Sequence, residues 1–165
     1  MLKSKFTIAL LLIILLSLPA TVFALKKGDP FPPLTGTTLQ GEQFDFSSLK
    51  GQPILLKLGT TWCPTCSQQS EIINQLHDFI TDNKIKFIEV FIQESPKTVL
   101  KNFSKTGHHS PDVIIMDQGE IAGKLNIYLI PRIILIDKHF KVYRDGEPMA
   151  TDALKQELQK MLTEK

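Results

Sequence analysis

The sequence predicts an α/β fold in which helices flank a mixed central sheet. Short apolar runs of the kind that form buried strands recur at 54–58, 85–92 and 113–116. Stretches with helical spacing of apolar residues separate these runs, which favours parallel strands joined by crossover helices. A strand at 133–136 and its hairpin partner at 140–143 then predict antiparallel pairing near the end of the chain.

The remaining segments are assigned in chain order. Residues 25–43 are rich in Gly, Pro and Thr, and they predict a non-helical lead-in to a domain that spans 44–165. That domain opens with a short strand at 44–46, where apolar and polar residues alternate. The spacing of apolar residues predicts helices over 67–80, 96–103, 121–125 and 151–162.

The first 24 residues have the layout of an export signal. Lys3 and Lys5 precede an apolar run over 6–18, and Val22-Phe23-Ala24 then gives small residues at the positions that a signal peptidase reads, which predicts a cleaved signal peptide. The uncharged stretch over 6–25 is also about as long as a bilayer is thick, so a retained membrane anchor is the alternative. Both readings place the domain outside the cytoplasm, in the periplasm or cell envelope.

The charge of the chain argues against nucleic-acid binding. The formal net charge of +2 comes from Lys3 and Lys5, because residues 1–24 contain no acidic side chain. The exported part is therefore neutral, and it has no basic stripe of the kind that nucleic-acid binding requires. The length of 165 residues predicts one domain, which we expect to act as a monomer.

The two cysteines of the chain, Cys63 and Cys66, lie three residues apart in a CxxC motif. A disulfide between them would close a very short loop, and the stabilisation from a crosslink grows with loop length. The motif therefore indicates a redox-active disulfide rather than a structural one. No other cofactor and no metal is expected, because zinc takes four ligands and the histidines show no pairing with this motif.

The position of the motif predicts different roles for its two thiols. It follows the predicted strand at 54–58, and Pro64 suits the first position of a helix. The positive end of the helix dipole would stabilise a thiolate at Cys63, which makes this residue the expected nucleophile. Cys66 would then be the resolving thiol that displaces a captured substrate from the mixed disulfide.

These residues resemble the thioredoxin-like family, specifically the exported TlpA/ResA-like thiol–disulfide oxidoreductases. The resemblance runs from Gly28 to the C-terminus and depends most on the block from Gly59 to Cys66 and the later Ile130-Pro131 pair. The segments at 46–53 and 93–95 also resemble the family. The resemblance implies a thioredoxin-like fold, protein disulfides or dithiols as substrates, and a membrane thiol reductant as electron donor.

The resemblance also implies four supporting residues. Pro131 matches the family's cis proline opposite the cysteines. A cis peptide bond there would leave backbone groups of Ile130 free to pair with an extended substrate. The alternative is an ordinary strand-starting proline. Trp62 matches an exposed substrate-docking tryptophan, with a core tryptophan as the alternative. Glu94 matches an acidic residue near the active site, with an exposed loop acid as the alternative.

Three positions depart from the family pattern. Lys57 lies where relatives carry Asp or Asn; its ammonium would either point at the sulfurs and stabilise a thiolate, or extend to water. Gln69 replaces a helical glutamate and cannot relay protons. Arg132 replaces the threonine that usually follows the proline, and could recognise acidic or peptide-carbonyl groups of a substrate.

The function favoured by these observations is reduction of partner-protein disulfides by CxxC dithiol exchange, which the family analogy links to cytochrome c maturation. A dithiol oxidase is a close alternative. A copper-handling module of the same fold is another, with His108 and His109 as candidate ligands, although such proteins carry CxxxC. A peroxidase is disfavoured because Leu56 stands where that family has proline.

Overall fold

The structure is a computed structural model that describes residues 25–164. The strands are β1 Thr35–Thr38, β2 Gln43–Asp45, β3 Ile54–Gly59, β4 Lys86–Ile92, β5 Val113–Asp117, β6 Arg132–Ile136 and β7 Val142–Gly146. The α-helices are α1 Pro64–Gln75, α2 His77–Asp82, α3 Pro96–Thr106, α4 Glu120–Lys124 and α5 Thr151–Thr163. A single 3-10 turn at Phe46–Leu49 connects β2 to the loop before β3.

The strands form one mixed sheet in the order β2-β1-β5-β4-β3-β6-β7. The central pairs β3–β4 and β4–β5 are parallel, and helices provide the crossovers between them. The β1–β2, β1–β5, β3–β6 and β6–β7 pairs are antiparallel. The predicted α/β architecture is confirmed, and β3 lies between β4 and β6 with every residue buried.

Buried apolar side chains form three clusters, and the two larger ones lie on opposite faces of the sheet. On one face, Leu55 and Ile133 pack with residues of α1, α2 and α5, such as Ile73 and Leu158. On the other face, a second cluster contains buried strand residues, two residues of the segment before β1 and two of the α4 region: Leu56, Leu58, Ile88, Ile134, Phe31, Leu34, Ile121 and Leu125. Because successive strand residues point to opposite faces, the uninterrupted apolar runs of the sequence feed both cores.

The predicted boundary at residue 44 is wrong. Residues 35–38 form β1, which pairs with β5 inside the sheet, so the lead-in belongs to the domain. Phe31 and Leu34 are buried, and their burial anchors the segment that the Gly and Pro content predicted to be only a lead-in to the domain. The predicted signal peptide or anchor over residues 1–24 lies outside the described residues.

Two further boundaries differ from the prediction. The helix predicted over 67–80 is two helices, because the chain leaves helical geometry at Leu76 and resumes at His77. The hairpin partner predicted at 140–143 begins at Val142, since Phe140 adopts a positive φ of 61° in the turn. Within residues 25–164, none of the helices combines the length and the apolar character needed to cross a membrane.

Candidate active site

The CxxC motif lies between the end of β3 and the start of α1. Cys63 is the N-cap of α1, and Pro64 is its first residue, where the missing N–H costs no hydrogen bond. The backbone N–H of Cys66 donates to Sγ of Cys63 across 3.2 Å. The predicted position of Cys63 at a helix N-terminus is thus confirmed, and this N–H of the first turn points at its sulfur.

The two thiols differ in accessibility. Both cysteines are free thiols, with 8% of Cys63 and 1% of Cys66 exposed. Burial raises the pKa of the Cys66 thiol to about 12, with a further contribution from its hydrogen bond to Cys63. The positive charge of Lys57 acts in the opposite direction but does not cancel the effect of burial. Both thiols are thus buried, and Cys63 is the slightly more exposed of the two.

Glu94 fixes the loop that carries the nucleophile. Its carboxylate accepts a hydrogen bond from the backbone N–H of Thr61 (2.9 Å) and a second from the Thr61 hydroxyl. Glu94 is half-buried, and Thr61 lies two residues before Cys63. The alternative of an exposed loop acid is therefore wrong. The geometry makes Glu94 a positioning residue for the strand-to-helix turn.

Pro131 follows a cis peptide bond with Ile130, as the resemblance implies. Residue 132 begins β6 and pairs with Leu58 near the end of β3, so the Ile130-Pro131 segment lies at the same edge of the sheet as the CxxC turn. Pro131 is buried and Ile130 is half-buried. Pairing of the Ile130 backbone with a substrate stays a prediction.

Large apolar side chains are exposed in the CxxC turn and in the loop before the cis peptide bond. Trp62 is 73% exposed, so the core alternative for this residue is wrong. Tyr128 and Leu129, directly before the cis peptide, are 81% and 75% exposed. Leu100 completes the set of large exposed apolar side chains among residues 25–164. The sequence analysis missed Tyr128 and Leu129, although two large apolar residues in a loop before Ile-Pro were a usable signal.

Lys57 does not extend to water, so that alternative is wrong. Its side chain is buried, and Nζ donates to a carboxylate oxygen of Glu89 and, over 2.8 Å, to Oγ of Ser70. Lys57 and Glu89 are direct partners in the parallel β3–β4 register. A β-carbon added at Gly59 would lie 3.0 Å from Sγ of Cys66 and 3.8 Å from Nζ of Lys57, so the Cys66 sulfur leaves little room for a side chain at this position.

Glu89 is a second residue that sequence reasoning missed. It is a buried acid in the middle of an otherwise apolar strand, and such a residue needs a partner because burying an unpaired charge is costly. This rule could have predicted the pair from the sequence, since Lys57 is likewise a single charged residue within an apolar strand. The structure brings the two charges together directly behind Cys66.

The other departures from the family pattern have partners within the domain. Oε1 of Gln69 accepts the backbone N–H of Met149 across 2.8 Å and so ties α1 to the segment before α5. Nε of Arg132 donates to the buried Asp145 at 2.6 Å. This ion pair gives Arg132 a structural contact on β7.

The two loop histidines contact helices α1 and α2. Nε2 of His108 lies 2.9 Å from a carboxylate oxygen of Glu71, and the His109 ring stacks on His77 with centroids 3.6 Å apart. Among the residues that the structure describes, no group of three or more His, Cys, Asp or Glu side chains is arranged to hold a metal ion.

Comparison with known proteins identifies the family. The sequence profile of the Redoxin family matches residues 26–161, which is most of the chain. The chain belongs to the Redoxin family. A relative from Bacillus thuringiensis, the thiol-disulfide oxidoreductase ResA, is 27% identical over 139 residues, which cover 84% of this chain and 80% of that protein.

Solved structures have the same fold. A putative thiol:disulfide interchange protein DsbE from Chlorobium tepidum superposes with a TM-score of 0.75 at 20% identity, covering 84% of this chain and 99% of that chain. A secreted Mycobacterium tuberculosis disulfide oxidoreductase, described as homologous to E. coli DsbE, gives a TM-score of 0.65 at 21% identity, covering 77% and 95%. This Redoxin family member is therefore a thioredoxin-like, ResA-like thiol–disulfide oxidoreductase.

Proposed function

We propose that this oxidoreductase reduces disulfides of partner proteins outside the cytoplasm. In this proposal the Cys63 thiolate attacks the substrate disulfide, and Cys66 then resolves the mixed disulfide. The observation that carries the proposal is the asymmetry at the start of α1, where Cys63 is the more accessible thiol and Cys66 is enclosed. The exposed Trp62, Tyr128 and Leu129 would receive an extended apolar segment around the substrate cysteine.

The charge distribution favours reduction over oxidation. Strong dithiol oxidants owe their potential to a stabilised reduced form, which a net positive charge beside the sulfurs would provide. Here the buried ammonium of Lys57 is neutralised by Glu89, so the pair brings no net charge to the cysteines. We therefore propose a potential near that of thioredoxin, about −270 mV, rather than one near −120 mV.

The proposal includes a location and an electron donor. The apolar leader at residues 1–24 would export or anchor the domain, and a membrane thiol donor would return Cys63 and Cys66 to the dithiol form. Apocytochrome c with oxidised cysteines is the substrate class that the family resemblance suggests. The similar secreted disulfide oxidoreductase from Mycobacterium tuberculosis supports an exported setting.

Two measurements test this function. In the cell envelope, the Cys66→Ser variant should accumulate mixed disulfides with substrate proteins, and the Cys63→Ser variant should accumulate none. Equal trapping by both variants would contradict the assigned roles. Equilibration of the purified protein with a glutathione redox buffer gives the potential, and a value near −120 mV would replace the reductase with an oxidase.

A further inference from the structure

Three exposed lysines lie together at the end of the sheet opposite the CxxC turn. In the antiparallel register of the two strands, β3 begins where β6 ends, so the turns before β3 and after β6 adjoin. The backbone N–H of Gly51 donates to the carbonyl of Lys138 across 3.1 Å, and Nζ of Lys50 lies 5.7 Å from the centroid of the Phe140 ring. We call Lys50, Lys138 and Lys141 the lysine surface, and all three side chains are exposed.

The ammonium groups of the lysine surface are not neutralised by close acids. Among the described residues, none of the three lysines forms an ion pair. Asp29 and Asp137 are half-buried, and their carboxylates accept backbone N–H groups of their own turns. Asp45, which interacts electrostatically with Lys50, accepts hydrogen bonds from Ser47. This end of the domain therefore presents positive charge to solvent.

The chain enters the domain beside the lysine surface. The backbone N–H of Gly28 donates to the carbonyl of Val142 across 2.8 Å, and Pro30 forms a β-bridge with Lys141. The apolar leader over residues 1–24 therefore ends only a few residues before the chain is fixed to the domain. Residues 25–28 can span at most about 14 Å, so a leader kept as a membrane anchor would hold these lysines close to the lipid headgroups.

Anionic phospholipid is the partner that this surface fits. Each lysine held near an anionic bilayer strengthens binding roughly fivefold, so three lysines together give about 100-fold. Such a surface binds weakly on its own, but an anchor in the same bilayer makes its binding intramolecular and so more favourable. An acidic protein would match the same charge. The leader favours lipid, because it places the bilayer itself beside the lysine surface.

We propose that the leader stays in place as an anchor and that the lysine surface binds the anionic headgroups of the same bilayer. The CxxC turn then faces away from the membrane, since the six residues of β3 separate it from the lysine surface by about 20 Å. Partner proteins can approach Cys63 from the solvent. A membrane thiol donor has to present its thiols outside the headgroup layer rather than within the bilayer.

Acetylation of lysines by a water-soluble reagent tests the contact in the full chain. The protein is reconstituted into vesicles of phosphatidylcholine, or of an equal mixture of phosphatidylcholine and phosphatidylglycerol, and mass spectrometry measures the labelling rate of each lysine. The lysine surface should react about fivefold more slowly in the mixed vesicles. This protection should disappear in about 1 M salt, where charges are screened within about 3 Å.

The chain contains its own controls for this experiment. Lys97 and Lys124 are exposed and lie on α3 and α4, which follow the carboxyl ends of β4 and β5 at the CxxC end of the sheet. They should react equally in both kinds of vesicle. Equal labelling of the lysine surface in both would overturn the inference. Protection that persists in high salt, or that requires added envelope proteins, would also overturn it, because the contact would then be non-ionic or with an acidic protein.

The orientation has a second readout, because Trp62 beside the CxxC motif is the only tryptophan of the chain. In mixed vesicles with dansyl-labelled headgroups, energy transfer from Trp62 should be higher in Lys50→Gln/Lys138→Gln/Lys141→Gln than in the wild type, since the released domain can tilt toward the bilayer. The matched variant Lys97→Gln/Lys101→Gln/Lys124→Gln should transfer as the wild type does. Equal transfer in the two triple variants would overturn the inference. Neither readout involves thiol exchange, so the proposed function stands or falls separately.

Discussion

Because the thiol of Cys66 is enclosed, the stability of the reduced protein should fall as pH rises through the alkaline range. Burial raises the pKa of this thiol to about 12, whereas an unfolded chain exposes a cysteine with a pKa of about 8.5. The folded state therefore holds this proton more tightly than the unfolded state above pH 8.5. The stabilisation is fully present below that pH and is lost as pH rises toward 12.

The size of the effect follows from the difference between the two pKa values. Each pH unit in this interval removes about 1.4 kcal/mol from the free energy of unfolding, so a rise from about pH 9 to pH 10.5 costs about 2 kcal/mol. Urea unfolding of the reduced protein at several pH values measures the loss. The Cys66→Ser variant is the matched control, because other alkaline groups titrate equally in both proteins. The loss should be smaller in the variant by this amount.

A constant difference between the wild type and Cys66→Ser from pH 8 to pH 10.5 would refute the reasoning. It would mean that the Cys66 thiol titrates in the folded protein as it does in the unfolded chain. The oxidised protein supplies a second control, since its disulfide has no thiol proton to lose. Its stability should follow that of the variant rather than that of the reduced wild type.

Three further outcomes are expected at the active site. Glu94→Ala should lower the free energy of unfolding, measured in urea, by about 1–3 kcal/mol, because Thr61 loses its charged hydrogen-bond partner. Glu94→Gln should lower it less, and an equal loss in both variants would mean that the charge of Glu94 plays no part. Gly59→Ala should slow resolution by Cys66 more than the first attack by Cys63, since the added carbon would press on the Cys66 sulfur. An assay that times the two steps separately measures this, and equal slowing of the two steps would contradict it. Tyr128→Ser should raise the KM for an unfolded apolar protein disulfide but leave that for glutathione disulfide unchanged, and a parallel change in both would reject a docking role.

The sequence predicted most of the fold because its strands are buried on both faces. Uninterrupted apolar runs such as 54–58 and 85–92 have few alternative structures, and the CxxC motif with Pro64 marks the helix that follows. β1 was missed because its residues, Thr35 to Thr38, form a short strand of threonine and glycine without a large apolar side chain. Its place in the sheet comes from pairing with β5, almost eighty residues later, which no local pattern reveals.

The active site was predictable where one segment determines it and uncertain where two segments meet. The sequence located Cys63 and Cys66 directly, since both belong to one strand–turn–helix unit. The surroundings of Lys57 depend on the register of β3 against β4, which sets Glu89 beside it. A one-residue shift of that register would have pointed the glutamate to the opposite face. The choice between a lysine that reaches water and a buried one could therefore be made only in three dimensions.

The pairing of Lys57 with Glu89 also changes what the lysine implies for redox potential. An isolated ammonium near the sulfurs would stabilise a thiolate and make the protein more oxidising, by about 30 mV for each 1.4 kcal/mol. A neutral ion pair acts instead as a dipole, whose effect falls off faster with distance than that of a single charge. Burial remains the largest influence on Cys66 and keeps the pKa of its thiol raised, although the charge of Lys57 lowers it.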